Sequence, residues 1–377
     1  MTKSNRDLFK PVVSPTKLDP QFAELMQNLR FEAARVIMNE EFANFHDIDH
    51  SFVREFQTGG FSARVFELAL FAYTREQGLT LDRTHASPDF LLDGDPRCAI
   101  EVTTTNPTQD ATRNELTQLP DNLEAAALAF VFQIGKDLRR KINHRVHGLP
   151  YWELPHAVGA PFVIAVGAFH DQHAQLHPMG LVAEYLYGTR DIASYDKTGK
   201  LTLRHETVTK HNFEGKEIPS GLFRQIDGRN LAGVLFSNNH TAMMFNRIGG
   251  ERGLAAPNTA QLRFGSRYTS DPDASEPALF AYVISSTATE ERESFSEGLH
   301  LFLNPWAHIP LNPRALPGVT VHELQDNGDL LTTTPPGLHP YTSKTISIVR
   351  PGADEFAHYK CLEILGLLPP DRGRHSH

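Results

Sequence analysis

Cysteine is nearly absent: Cys98 and Cys361 are the two in 377 residues. That excludes a disulfide framework and a cysteine-built zinc site, and it fits a reducing cytoplasm. Long apolar runs are missing too. None approaches the ~20 residues needed to cross a bilayer, so no membrane partner is expected. The opening stretch MTKSNRDLFKPVV lacks the apolar centre of a signal peptide, so the expected location is cytoplasmic. Positive charge is in deficit. Lys and Arg number 36 against 45 Asp and Glu, a net −9, which argues against a generic nucleic-acid coat and leaves local basic patches as the route to phosphate. Neither a GxxxxGK[ST] phosphate loop nor a GxSxG elbow occurs, which removes the signatures of an NTPase and of an α/β-hydrolase.

What is present suits a soluble globular chain. Hydrophobic content is 40% and charged content 21%, and the length allows one large domain or two ordinary ones. The most informative stretch is Pro88-Asp89-Phe90-Leu91-Leu92, then Asp93-Gly94-Asp95-Pro96, then Cys98-Ala99-Ile100-Glu101-Val102-Thr103. Two apolar runs around Asp-Gly are the signal of a β-hairpin. Asp89 opens the first strand and Glu101 lies inside the second. A carboxylate between Ile100 and Val102 is costly to bury without compensation. Two carboxylates on adjacent strands are suited to share one hard cation, so the pattern reads as a metal site.

Helix and strand signals surround it. Residues 61–78 carry Val65, Leu68, Ala69, Ala72 and Tyr73 at helical spacing and stop at Gly78, with Glu67 inside the segment. Leu79–Leu81 is expected as a short strand. Residues 121–145 read as a long helix starting near Asp121, and Pro161–Ala168 as a buried strand. The order is helix, three-stranded meander, helix, strand.

These residues resemble the PD-(D/E)XK nuclease superfamily, the restriction-endonuclease-like fold, over about residues 60 to 170. The resemblance implies that Asp89 and Glu101, with the main-chain carbonyl of Val102, hold Mg²⁺ or Mn²⁺ for phosphodiester hydrolysis, assisted by Glu67. Thr103 stands where the family has its lysine. The resemblance offers a replacement on the following helix, where parts of the superfamily carry the migrated lysine. Lys141 is favoured over Lys136, because Gly135–Asn143 followed by Tyr151–His156 is similar to a segment of uncharacterised bacterial nuclease-like proteins. Gln133 is a further polar residue on that helix. The implied activity is that of a cytoplasmic bacterial endonuclease, a hydrolase acting on DNA in defence or DNA processing. Thr103 keeps open a catalytically degenerate binding or scaffolding module.

Residues 136–145 place Lys136, Arg139, Arg140, Lys141 and Arg145 against one acid, Asp137. Such a run faces phosphate, or is a solvated helix face with Asp137 and Lys141 paired four apart. A homodimer clamping a duplex and a monomer both fit this pattern. The HDIDH segment, His46 to His50, suggests a metal phosphohydrolase instead. His170 and Asp171, after the 161–168 strand, are candidates for the border of a cleft, and His375 and His377 for a polar tail. Arg247 is either an anion ligand or half of an ion pair.

The fold class expected is α/β, a restriction-endonuclease-like core with additions at both ends. Residues 1–58 form helices. Residues 59–250 form the core, with an inserted hairpin near 195–213 and a sheet strand at 231–237. Residues 251–377 form a mixed extension, in which 251–275 is a surface loop and 278–286 a strand.

Overall fold

The computed structural model describes residues 7–105, 122–169, 173–271, 273–287 and 292–367. His170, Asp171, His375, His377 and Asp121 lie outside them. The chain is mixed α/β. It opens with α1 (Pro20–Gln27), α2 (Glu32–Phe42) and α3 (Phe52–Phe56), then α4 (Phe61–Glu76). The chain leaves α4 through Gly78, whose φ of 66° is the left-handed conformation expected of a glycine stop. Strands β1 (Leu81–Asp82), β2 (Phe90–Leu92) and β3 (Cys98–Thr105) follow, then α5 (Leu123–Asn143) and β4 (Phe162–Ala168). Asn122 caps α5, its side chain accepting from the amides of Glu124 and Ala125.

Further on come α6 (Met179–Tyr187), the β5–β6 hairpin (Thr189–Tyr195, Leu201–Thr207), β7 (Lys210–Phe213), β8 (Lys216–Pro219), β9 (Gly233–Ser237) and α7 (Ala242–Glu251). The chain continues through β10 (Thr259–Arg267), β11 (Ala278–Val283), β12 (His300–Leu303), β13 (Thr320–Leu324), β14 (Leu330–Thr333), β15 (Pro340–Val349) and α8 (Ala353–Ile364).

Among the described residues, eight strands form one sheet in the order β1-β2-β3-β4-β9-β12-β13-β14. Strands β1 to β3 are antiparallel neighbours, and β4 runs parallel to both β3 and β9. Residues 300–333 thus return to the sheet that the first half of the chain began. A separate three-stranded sheet has β10 between β11 and β15.

Alternation along the strands divides the core in two. Phe90, Leu92, Cys98, Ile100 and Val102 pack with the N-terminal helices and α7 on one face. Leu91 and Ala99 pack with Phe130, Ile134 and Leu138 of α5 on the other. Glu101 and Thr103 share the parity of Ala99 and therefore point toward α5.

Three local expectations change. The 93–97 connection pairs Leu92 with Cys98, and Gly94 is not left-handed, so the hairpin has a five-residue loop rather than a two-residue Asp-Gly turn. The first strand is Leu81–Asp82, not Leu79–Leu81. Part of the expected 251–275 loop is β10, the central strand of the smaller sheet. Its buried positions include Gln261 and Arg263, and a strand with polar residues inside carries no apolar run to read.

Candidate functional site

Extending the register Phe90↔Ile100 by one residue sets Asp89 opposite Glu101. The two strands are laced there. Asp89 Oδ2 accepts from the Val102 amide at 2.8 Å, and the Asp89 amide donates to Glu101 Oε2 at 3.3 Å. Glu101 is 5% exposed. Its other oxygen accepts from Lys141 Nζ at 2.5 Å, reaching across from α5. The Tyr151 phenol stands beside Glu101 as well. The Lys141 ammonium also lies 5.8 Å from the Tyr151 ring centroid. Burial and the Glu101 charge push the Tyr151 phenol well above its ordinary range.

The structure thus brings together Asp89, Glu101, Val102 and Lys141. Of the expected uses of Asp137, the i,i+4 pair with Lys141 is replaced: Asp137 Oδ1 pairs with Arg140 at 2.9 Å, because Lys141 is taken by Glu101. Arg140 Nη2 also donates to Thr103 Oγ1 at 2.9 Å. A guanidinium therefore sits beside Thr103. The remaining cations diverge around the helix. Arg139 turns to the Pro219 carbonyl and Gln225, while Lys136 and Arg145 are exposed.

Glu67 joins from α4. It pairs with Arg64, which also binds Glu55. Burial, then the Asp89 charge, pushes the Glu67 carboxyl up to about 7. Burial, then the Glu101 charge, pushes Asp89 up to about 7. Carboxyls held this high mark a place where burial outweighs the nearby charges of Arg64, Arg83 and Lys141. A small cavity of about 70 Å³ is lined by Asp47, Asp49, Arg64, Glu67, Arg83 and Asp89, among others. Arg83 anchors its rim, donating to the carbonyls of Asp89 at 2.8 Å and His46 at 2.7 Å.

The HDIDH segment therefore borders the same place as the hairpin rather than forming a second centre. Its histidines, His46 and His50, are exposed. Among the described residues no group of three or more His, Cys, Asp or Glu is arranged to hold a metal ion. Arg247 is a structural ion pair: its Nε and Nη2 donate to Glu293 at 2.7 and 2.6 Å, fully buried.

Arg64, Arg83, Arg140, Tyr151 and the pair Asp47 and Asp49 were not singled out as members of this site by the sequence. The available signals were the basic run around Arg140, the HDIDH segment around Asp47 and Asp49, and the similarity of the Tyr151–His156 stretch. No protein-family model, no curated protein and no solved structure matches this chain.

Proposed function

We propose that this chain is a metal-dependent nuclease of the restriction-endonuclease-like class, hydrolysing phosphodiester bonds of DNA. The observation that carries the proposal is Asp89 opposite Glu101 on neighbouring strands, with Lys141 Nζ at 2.5 Å from Glu101. The element order supports it: α4, the antiparallel β1 to β3, α5, then β4 parallel to β3, which is the arrangement of that core.

The residues fit a hard divalent cation. Asp89 and Glu101, with the Val102 carbonyl, would hold Mg²⁺ or Mn²⁺ as oxygen donors, and Mg²⁺ retains several waters and substrate oxygens rather than needing a full protein cage. The ion would supply Lewis-acid polarisation of the phosphate and a more acidic bound water. The chain's own groups do the rest. Glu67, pushed up to about 7, is poised to take a proton from water near neutral pH. Lys141 and Arg140 place two cations where negative charge grows on the phosphate. Lys141, held in position by Glu101, stands in for the lysine that Thr103 replaces, and Arg140 stands beside Thr103.

The second reading, a degenerate binding or scaffolding module, is favoured by the same Glu101–Lys141 contact, since that ion pair already neutralises the buried carboxylate. Calorimetric titration with Mg²⁺ and Mn²⁺, followed by plasmid and oligonucleotide cleavage, separates the two. Wild type should bind metal and cleave, and Asp89→Ala and Glu101→Ala should lose both. Cleavage surviving Asp89→Ala would overturn the nuclease proposal, and absence of both binding and cleavage in wild type would select the module.

A further inference from the structure

Strand β11 ends the three-stranded sheet, with β10 on one side and, among the described residues, no strand on the other. Ile284, just past its end, donates its amide to the Gln261 carbonyl at 2.8 Å. In an antiparallel ladder the pairing direction alternates residue by residue. Phe280 and Tyr282 therefore turn their main-chain groups toward Gly265 and Arg263 of β10, and Leu279, Ala281 and Val283 turn theirs away. Among the described residues these three have no second backbone partner. Natural edges of this kind are blunted by charge, proline or a bulge, because a bare one is a template for another strand. The edge of β11 reads Ala-Leu-Phe-Ala-Tyr-Val in unbroken register with β10, with none of these devices.

A cavity of about 710 Å³ runs along that edge. Every residue from Leu279 to Ser285 lines it. A pocket on one face of the strand would meet alternate residues only, so the cavity follows the edge. Residues 335–339, the 292–297 segment and Leu365 supply its other walls. Leu279 to Val283 span ~13 Å, which leaves room for about five residues to pair.

The carboxylates around the groove are engaged within the protein. Arg247 clamps Glu293, Arg263 pairs with Glu297 at 2.6 Å, and Glu251 Oε2 accepts from the Glu293 amide at 2.8 Å. Arg267 and Arg292 line the groove too, with exposed side chains and no ion-pair partner among the described residues. Arg267 stands opposite Ala278, where β11 begins. The unpaired charge is positive, so the complementary segment is acidic.

We propose that the groove takes an extended acidic segment of a partner protein, which adds to β11 as a fourth strand of the smaller sheet. Main-chain hydrogen bonds to Leu279, Ala281 and Val283 supply affinity, and a carboxylate on Arg267 or Arg292 supplies selectivity. This surface is independent of the nuclease proposal.

The test selects random heptapeptides displayed on phage against the full chain, then titrates the strongest by fluorescence anisotropy. Saturable binding by peptides bearing Asp or Glu is expected. Methylating one alternate set of the peptide's amides should weaken binding at least about tenfold, and methylating the other set should not. Ala281→Pro removes a groove-facing amide that β10 does not use, so it should weaken binding by a similar factor and leave the ladder intact. Arg267→Glu should weaken the acidic peptides as well, which keeps the test decisive if Ala281→Pro fails to fold. No saturable selection, selection of basic peptides, or equal binding after methylation of either set would each overturn the proposal. So would a dimer of the free chain, seen by light scattering, that Ala281→Pro dissociates, since β11 would then pair with a second copy.

Discussion

Glu101 lies inside an apolar strand at the cost of desolvating a carboxylate, and Lys141 offsets that cost. Removing one partner of a buried pair strands the other charge. Lys141→Met should therefore lower stability by about 3 kcal/mol, and adding Glu101→Gln should recover part of the loss. Urea unfolding of the four proteins in the cycle measures this. If Lys141→Met is as stable as wild type, the ion pair is not what keeps Glu101 buried. Arg140 carries a separate prediction, through its bond to Thr103. In the cleavage assay Arg140→Ala should lower kcat about 100-fold, and Thr103→Lys in that background should restore much of it. Full activity of Arg140→Ala would remove Arg140 from the chemistry while leaving the Asp89 and Glu101 test untouched. Both carboxylates were legible in the sequence, since a strand-interior Glu and an Asp opening a paired strand stand out against apolar neighbours. Their cationic partners were only partly so, because nothing local distinguishes Arg140 from Lys136.

At the scale of elements, α7 docks on α2 through contacts that its sequence does not announce. Asn246 Oδ1 accepts from the Ala34 amide at 3.1 Å, satisfying a free amide in the first turn of α2, and its Nδ2 donates to the Arg30 carbonyl at 2.8 Å. Gly249 lets the backbones close: a Cβ there would stand 2.8 Å from the Ala33 carbonyl oxygen. Alanine is the better helix former by about 1 kcal/mol, yet Gly249→Ala should destabilise by about 1–3 kcal/mol, because backbone cannot rotate out of the way. A rise in the thermal midpoint would show that α2 shifts freely. The helical period of α4 and α5 and the apolar runs of β4 and β9 were readable from neighbours in the chain. Strand β10 was not, because its buried Arg263 is tolerable only beside Glu293 and Glu297, which lie far along the sequence.

For the whole molecule, buried titratable groups of opposite tendency set the pH response. Burial lowers His240 to about 4 and His322 to about 3, and burial with the neighbouring His322 lowers His300 well below 6.5. Below pH 6.5 the unfolded chain protonates these imidazoles and the folded chain does not, so each costs about 1.4 kcal/mol per pH unit as pH falls. Glu67, Asp89 and Glu297 act the other way. Above about 4.5 the unfolded chain ionises them while the folded chain holds them protonated up to about 7, so stability falls as pH rises. The two slopes oppose each other between about pH 4.5 and 6.5, where stability should be nearly level. Below about 4.5 the histidine slope stands alone, joined by Glu184, whose burial is outweighed by Arg190 and His211 and which stays ionised to about 2. Stability should then drop steeply. Unfolding midpoints taken in half-unit steps from pH 3.5 to 8 check this, and a steady slope through the 4.5–6.5 window would contradict it. Mg²⁺ adds a further arm. It favours ionised Asp89, so it should raise the midpoint at pH 7.5 but not in Asp89→Ala.

The sequence by itself determined the mixed α/β class, the positions of α4, α5, β4 and β9, the hairpin and its two carboxylates. Those features depend on periodicity and on the cost of burying charge among near neighbours. Only the tertiary structure decided that Lys141 reaches Glu101 across forty positions, that Arg140 serves Thr103, and that Asp47 and Asp49 share a cavity with Glu67 and Asp89. It also decided that β12 to β14 complete the first sheet. Which charge compensates which, and which strand pairs with which, are set by distance in space, and helical period or strand alternation carries no record of it.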